Sequence, residues 1–247
     1  MRFDGKVAIV TGAASPIGQA IVRRLAAGGA RLVLGDVAED ALRDTAGRLV
    51  PDALVVAGDL SREPAAQALV DTAREAYGRV DILINNAGGG VILPTFEHDS
   101  ESIRRTIDRN LWTAIWCSRA VLPLMVDNDY GRIVSVGADS VRNGLYEHAI
   151  YNAAKGGVHA MATGLAREFA RYDITVNVVA PCMVLTPQVR AAKEAGHPTV
   201  AAMEAVIPKG RSADPDEVAS MVAYLALDEA RFVTGQTISV NGGSTML

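Results

Sequence analysis

Cysteine is scarce in this chain: Cys117 and Cys182 are the only two among 247 residues. They are too few and too far apart for a metal cluster or a disulfide framework, so they read as buried free thiols, and no metal site is expected. Long apolar runs are missing too. None approaches the ~18 residues of a membrane span, and the stretch Met1-Arg2-Phe3-Asp4-Gly5-Lys6 lacks the apolar core of a signal peptide. The expectation is a soluble, cytoplasmic protein. Nor is there an excess of one charge. Lys plus Arg number 24 against 28 for Asp plus Glu, a net charge of −4 with the two signs interspersed, which argues against a nucleic-acid or anionic-membrane surface. Linkers, repeats and low-complexity segments are likewise missing, so residues 1–247 read as one domain. What is abundant is apolar side chain, 49% against 21% charged, enough for a well-filled core and incompatible with a disordered chain.

That apolar content comes in short runs. Val7–Val10, Arg31–Leu34, Leu54–Ala57, Val80–Ile84, Ile133–Val136, Ile174–Val179 and Thr237–Val240 each read as a strand buried on both faces. Helical stretches lie between them, such as the one from Glu63 to just before Gly78. Strands alternating with helices at this spacing predict an α/β fold, a single-domain doubly wound parallel sheet (Rossmann-like) of about seven strands with helices on both faces. The least regular stretch, Met183 to Arg211, follows the sixth strand, and 183–211 is a substrate-lid candidate.

The turn after the first strand, Thr11-Gly12-Ala13-Ala14-Ser15-Pro16-Ile17-Gly18, opens the first helix. A strand, a glycine-rich turn and a helix N-terminus together form an anion site, because free backbone N–H groups point at a phosphate. Gly12 allows the tight turn and Gly18 a close helix–strand approach. Pro16 has no N–H but suits a first helical turn, leaving the N–H groups of Ile17 and Gly18 to bind phosphate. Asp36, at the end of the second strand, can bind a ribose 2′-hydroxyl and would repel a 2′-phosphate. No Arg or Lys stands at 13–17 or 37–38. The cofactor expected is NAD.

Tyr151 and Lys155 stand four apart in a helical pattern, hence on one face. A neighbouring ammonium favours the phenolate, so Tyr151 is expected below its reference pKa of about 10, as a proton shuttle.

With Thr11-Gly12…Gly18, Asp59-Leu60, Asn85-Asn86-Ala87-Gly88, Asn110, Tyr151…Lys155, Asn177…Pro181 and Thr234-Gly235-Gln236…Asn241-Gly242-Gly243 in this order, the chain resembles the short-chain dehydrogenase/reductase family over nearly its whole length. The resemblance implies that Tyr151 is the catalytic acid/base. It implies that Lys155 lowers the Tyr151 pKa and holds the nicotinamide ribose, and that Asn110 anchors a water linking Lys155 to solvent. Asp59 and Leu60 would flank the adenine, and Asn86, Ala87 and Gly88 would line the cofactor groove. Ser15, Ile17 and Pro181 would also touch the cofactor, and Val184 and Thr186 would contact the carboxamide.

Three positions depart from that pattern. The family's serine, thirteen residues before the tyrosine, is Ala138, and the nearest hydroxyl towards Tyr151 is Ser140. Either the loop after the strand is rearranged so that Ser140 enters the site or the chain uses another donor; Ser140 is favoured, because an unassisted oxygen forfeits a donor that can be worth a few kcal/mol. Asp139 is expected to cap or to face solvent. Pro16 alters the phosphate site. Cys182 stands where the family has glycine, as a pocket wall in preference to a nucleophile.

The stretch Gly89-Gly90-Val91-Ile92-Leu93-Pro94, with Phe96, Glu97 and His98 beyond it and Leu111-Trp112…Ile115-Trp116-Cys117 after, resembles dehydrogenases acting on cis-dihydrodiols of aromatic carboxylates. Such an acid needs a cation, and Arg142, His148 and Arg190 are the candidates. A 3-oxoacyl or general carbonyl reductase is the alternative, and a non-catalytic NAD-binding sensor a further one. Trp112 and Trp116, together with the long Tyr151–Tyr172 helix, are expected either to pair subunits in a homo-tetramer, as in the family, or to form a stripe in the monomer core.

Overall fold

The computed structural model describes residues 2–246. The chain runs β1 (Val7–Thr11), α1 (Pro16–Ala27), β2 (Arg31–Asp36), α2 (Glu39–Leu49), β3 (Leu54–Ala57), α3 (Glu63–Tyr77), β4 (Ile82–Asn85), α4 (Ser100–Ile107), α5 (Thr113–Asp127), β5 (Gly131–Val136), α6 (Ser140–Asn143), α7 (Ala149–Glu168), β6 (Ile174–Pro181), α8 (Pro187–Glu194), α9 (Pro198–Ala205), α10 (Pro215–Leu225) and β7 (Thr237–Val240). All seven strands are parallel, in the order β3-β2-β1-β4-β5-β6-β7. Strand order reverses between β1 and β4, so a crevice opens at their C-terminal ends, where open parallel sheets bind ligands.

Alternate strand residues feed two cores. Ala8, Val10, Leu34 and Ile84 pack with α1 and α10 on one face. Val7, Ile9, Val33 and Leu83 pack with α3, α5 and α7 on the other. Burial on both faces is why these strands read as continuous apolar runs; each fully buried Leu or Ile contributes about 1.5–3 kcal/mol.

The expected strands are all present, β3 and β7 with the expected bounds and the others with shifted ends. β4 begins at Ile82 because Asp81 is drawn inward, its carboxylate accepting from the Val7 N–H at 2.8 Å. The helix expected over Tyr151–Tyr172 runs from Ala149 to Glu168. The segment from Met183 to Arg211 is more regular than expected, because it carries α8 and α9. Glu204 staples it, pairing with Lys193 at 2.7 Å and accepting from the Ser212 N–H and hydroxyl at 3.0 and 2.8 Å. These donors hold its carboxyl down at about 2.

Candidate active site

The turn between β1 and α1 is held by side chains. Gly12 has φ +62°, and a Cβ there would come within 2.7 Å of the Ala87 Cα, so only glycine fits both constraints. Ser15 caps α1: its Oγ accepts from the Gly18 N–H at 3.1 Å and donates to the Gly12 carbonyl at 2.8 Å. The Gly18 N–H is therefore not free for a phosphate, contrary to expectation, because the serine cap consumes it. Pro16 is the first residue of α1, as its geometry favours. The Ile17 N–H has no acceptor among the described residues, which leaves one orphan donor at this helix start.

Asp36 accepts from the Ala14 N–H and the Ala38 N–H, both at 3.0 Å, so its carboxylate braces the turn from the end of β2. Asn86 ties the turn to β4: its Nδ2 donates to the Thr11 and Gly12 carbonyls and to Ser15 Oγ at 3.0, 2.9 and 3.1 Å. Thr11 completes the tie, its Oγ1 accepting from the Asn86 and Ala87 N–H groups at 3.0 Å each. No role for Thr11 is readable from sequence beyond its place at the strand end. A groove of about 490 Å³ runs over these residues, reaching Gly12, Ser15 and Asp36 on one side and Asn86, Ala87 and Gly88 on the other. Asp59, Leu60, Arg109 and Gln188 also border it. The last two were not expected; Arg109 is the neighbour of Asn110, and Gln188 comes from α8.

A second cavity, of about 390 Å³, continues from the groove and is bordered by Ala138, Ser140, Tyr151 and Lys155. Ile17, Pro181, Val184 and Thr186 lie along it as well. Thr186 caps α8, accepting from the Val189 N–H at 3.2 Å, and Val184 bridges to Ala213. α9 supplies Met203 from above.

Lys155 is 4% exposed, and its ammonium donates to the Val136 carbonyl at 2.8 Å. Burial lowers its pKa to about 8. Its Nζ lies 6.0 Å from the centre of the Tyr151 ring. The Tyr151 phenol is pushed up to about 12 by burial, where the sequence argument expected a depressed value. That argument counted the attraction of the ammonium and left out desolvation, which disfavours the charged form of both groups.

Asn110 sits in a widened π-type turn over Asp108–Trp112, between α4 and α5, a distortion frequent at functional sites. Its amide donates to the Thr106 and Gly89 carbonyls at 2.8 and 3.0 Å and accepts from the Gly89 N–H at 3.2 Å. A Cβ on Gly88 would lie 2.7 Å from Asn110 Oδ1 and 3.0 Å from Lys155 Nζ. The bare backbone there fits between these two groups.

Ser140 starts α6, and its hydroxyl donates to Asn152 Oδ1 at 2.6 Å. Next to it, Asp139 neither caps nor faces solvent as expected. It is 1% exposed and accepts from Asn143, Ser239, Asn241, Ser244 and Thr245. Arg142 is drawn to β7, donating to Ser239 Oγ and the Thr237 carbonyl at 3.0 Å each. Arg190 does not border the cavity, whereas His148 does. Cys182 is on the wall, its thiol pushed up by burial, in keeping with a passive role. His159, one turn beyond Lys155, was not expected: its Nε2 accepts from the Ala138 N–H at 3.4 Å, and burial, with the charges of Arg142 and Lys155, lowers it to about 4.

A groove with an orphan N–H at a helix start, a carboxylate at the end of β2 and glycines where side chains would collide fits a dinucleotide. Residues 12–245 match the family model described as enoyl-(acyl carrier protein) reductase. The chain is 56% identical over 251 residues to the 2,3-dihydroxy-2,3-dihydro-p-cumate dehydrogenase of Pseudomonas putida, covering 100% of this chain and 97% of that protein. It is 35% identical over 247 residues to the 3-oxoacyl-[acyl-carrier-protein] reductase FabG of Escherichia coli K12, covering 100% of both. Among solved structures, levodione reductase superposes with a TM-score of 0.91 at 30% identity, covering 98% of each chain. The chain therefore belongs to the short-chain dehydrogenase/reductase family, as an oxidoreductase working with a nicotinamide cofactor.

Proposed function

We propose that this enzyme oxidises a cis-dihydrodiol of an aromatic carboxylate with NAD. The observation carrying this reading is the 56% identity, over the full chain, to a dehydrogenase of dihydroxy-dihydro-p-cumate; the reductase of 3-oxoacyl chains stands at 35%. A bound nicotinamide would supply the acceptor for the hydride leaving the substrate carbon. Tyr151, as the phenolate, accepts the hydroxyl proton as general base. Lys155, buried beside it, favours the phenolate and holds the nicotinamide ribose, and Asn110 anchors the water that links Lys155 to solvent. Ser140 supplies the hydroxyl that meets the substrate oxygen in place of the missing serine at 138. Its one proton goes to Asn152 Oδ1 in the free protein, and donating to the substrate oxygen requires the hydroxyl to turn away from that acceptor.

In this reading Gly12, Ser15, Ile17 and Gly18 form the phosphate turn, with the Ile17 N–H as its free donor and Gly18 acting through close packing. Asp36 takes the ribose and sets the preference for NAD, since its charge opposes a 2′-phosphate. Asp59 and Leu60 hold the adenine, Asn86, Ala87 and Gly88 the groove floor, and Pro181, Val184 and Thr186 the carboxamide side. Residues 183–211 act as the substrate lid of a single 1–247 domain. The exposed Trp112, stacked on Trp116 with ring centres 5.4 Å apart, belongs to a subunit contact of a cytoplasmic homo-tetramer, which light scattering tests.

The functional test is an oxidation screen of the purified protein with NAD and with NADP against cis-dihydrodiol carboxylic acids and simple secondary alcohols. Turnover of the diol acids with NAD, abolished in Tyr151→Phe while NADH binding persists, is expected. NADH binding without turnover of any alcohol would favour a sensor. Preference for 3-oxoacyl substrates in the reverse direction would favour a reductase.

A further inference from the structure

The reading above requires the cavity to hold a substrate bearing a carboxylate, and its wall has few groups that can receive one. Of the charged or chargeable side chains bordering it, Asp139 is itself an anion. The Lys155 ammonium is buried behind the reacting tyrosine, donates to the Val136 carbonyl and, in the reading above, gives its other donors to the nicotinamide ribose and the tyrosine. Arg142 is held by β7, and Arg190 lies off the wall. His148 remains.

Its setting suits the task. Nδ1 of His148 lies 2.7 Å from the Tyr146 carbonyl; a carbonyl can only accept, so Nδ1 carries a proton and Nε2 is the ring atom left for a ligand. The turn presenting it is strained, because Glu147 has φ +63°, an uncommon conformation for a side chain of that size. The imidazole stands edge-on to the Tyr151 ring with centres 6.0 Å apart, within one substrate ring's reach of the proton acceptor.

We infer that His148 is the specificity-determining residue of this site, a proton taken up on Nε2 together with the substrate carboxylate letting the ring donate to it. This rests on the cis-dihydrodiol reading. A charge-assisted hydrogen bond of this kind discriminates against the analogue lacking the carboxylate by about tenfold to a hundredfold.

The test compares kcat/KM for a cis-dihydrodiol carboxylic acid with that for the same diol lacking the carboxylate. In His148→Gln the acid should lose about tenfold to a hundredfold while the uncharged diol stays within about twofold. His148→Arg, which keeps a cation, should retain the preference for the acid. NADH affinity by fluorescence titration should be unchanged in both variants, separating recognition from misfolding. Equal losses on both diols, or no loss on the acid, would overturn the inference and leave the dihydrodiol reading standing. If the wild type turns over neither diol, the dihydrodiol reading itself fails.

Discussion

Asp139→Asn is the perturbation with the best-defined cost. Asp139 Oδ2 accepts from Ser244 Oγ, Thr245 Oγ1 and Asn143 Nδ2 at 2.6, 2.9 and 3.2 Å, and Oδ1 accepts from Asn241 Nδ2 at 2.9 Å and Ser239 Oγ at 3.4 Å. A carboxamide keeps one acceptor oxygen. Turned towards the three-donor side, it preserves those bonds without charge assistance and sets its own NH2 against the Asn241 NH2. Asn241 cannot turn to relieve this. Its Nδ2 also donates to the Thr245 carbonyl and its Oδ1 accepts from the Gly243 N–H, at 2.8 and 3.0 Å, and turning would lose both. The charge-assisted bond from Asn241 is thus replaced by a donor–donor conflict, the longer one from Ser239 is lost unless that hydroxyl turns to accept, and the other three are weakened. The expected cost is about 3 kcal/mol, with Asp139→Ala costing more because every donor is then orphaned. For a chain of this length that is a fall in Tm of roughly 6–12 °C, measurable by thermal or urea unfolding without cofactor. The damage should extend to kcat/KM, since Ser140 is the next residue and Ser244 borders the same cavity. A loss below about 1 kcal/mol would refute the view of Asp139 as the strut joining α6 to the segment after β7.

Three further outcomes follow from the same geometry. Lys155, lowered by burial from 10.5 to about 8, binds fewer protons folded than unfolded between those values, so its destabilising effect is full below pH 8, falls as pH rises to 10.5, and is gone above. Lys155→Met should therefore be more stable than wild type at pH 7 by about 2 kcal/mol, after allowing for the lost bond to the Val136 carbonyl, with the gap closing towards pH 10.5 in urea titrations; a pH-independent gap would contradict this. Gly90→Ala would bring a Cβ to 2.6 Å from Tyr151 Cδ2, and should cut kcat at least tenfold with little change in Tm, a displaced phenol being more costly to chemistry than to packing. Ser140→Ala should lower kcat by roughly a hundredfold or more, the usual loss for an oxyanion-type donor, whereas an unchanged kcat would remove Ser140 from the reaction.

What could be read from the residues was whatever sits within one contiguous stretch. The bounds of β3 and the start and end of α3 coincide with those expected from periodicity and from Gly78, because these features depend on neighbours in sequence. The groove residues Gly12, Asp36, Asn86 and Gly88 do come together around one crevice, since strand order at a topological switch follows from the alternation of strands and helices. Asp139 was illegible for the converse reason. Four of its five donors lie about 100 residues downstream, at Ser239, Asn241, Ser244 and Thr245, and nothing local distinguishes it from a solvated acid. The Tyr151 phenol failed similarly: helical spacing reveals the ammonium, while the desolvation that outweighs it comes from the whole fold.

The position of Ser140 joins these two kinds of information. In the family pattern the hydroxyl belongs to the end of a strand, at the position of Ala138. Here that position keeps only its backbone role, its N–H donating to His159 of α7 at 3.4 Å. In the reading proposed above the hydroxyl comes from two residues on, in the first turn of α6, where Ser140 donates to Asn152 of α7 at 2.6 Å. Asn152 directly follows Tyr151, so the proton acceptor and the hydroxyl are both referenced to one helix, with Asp139 pinning the other side of the loop. A sequence pattern that scores only position 138 would discard this chain as lacking a hydroxyl. The fold instead places the Ser140 hydroxyl on the same cavity wall, held there by Asn152.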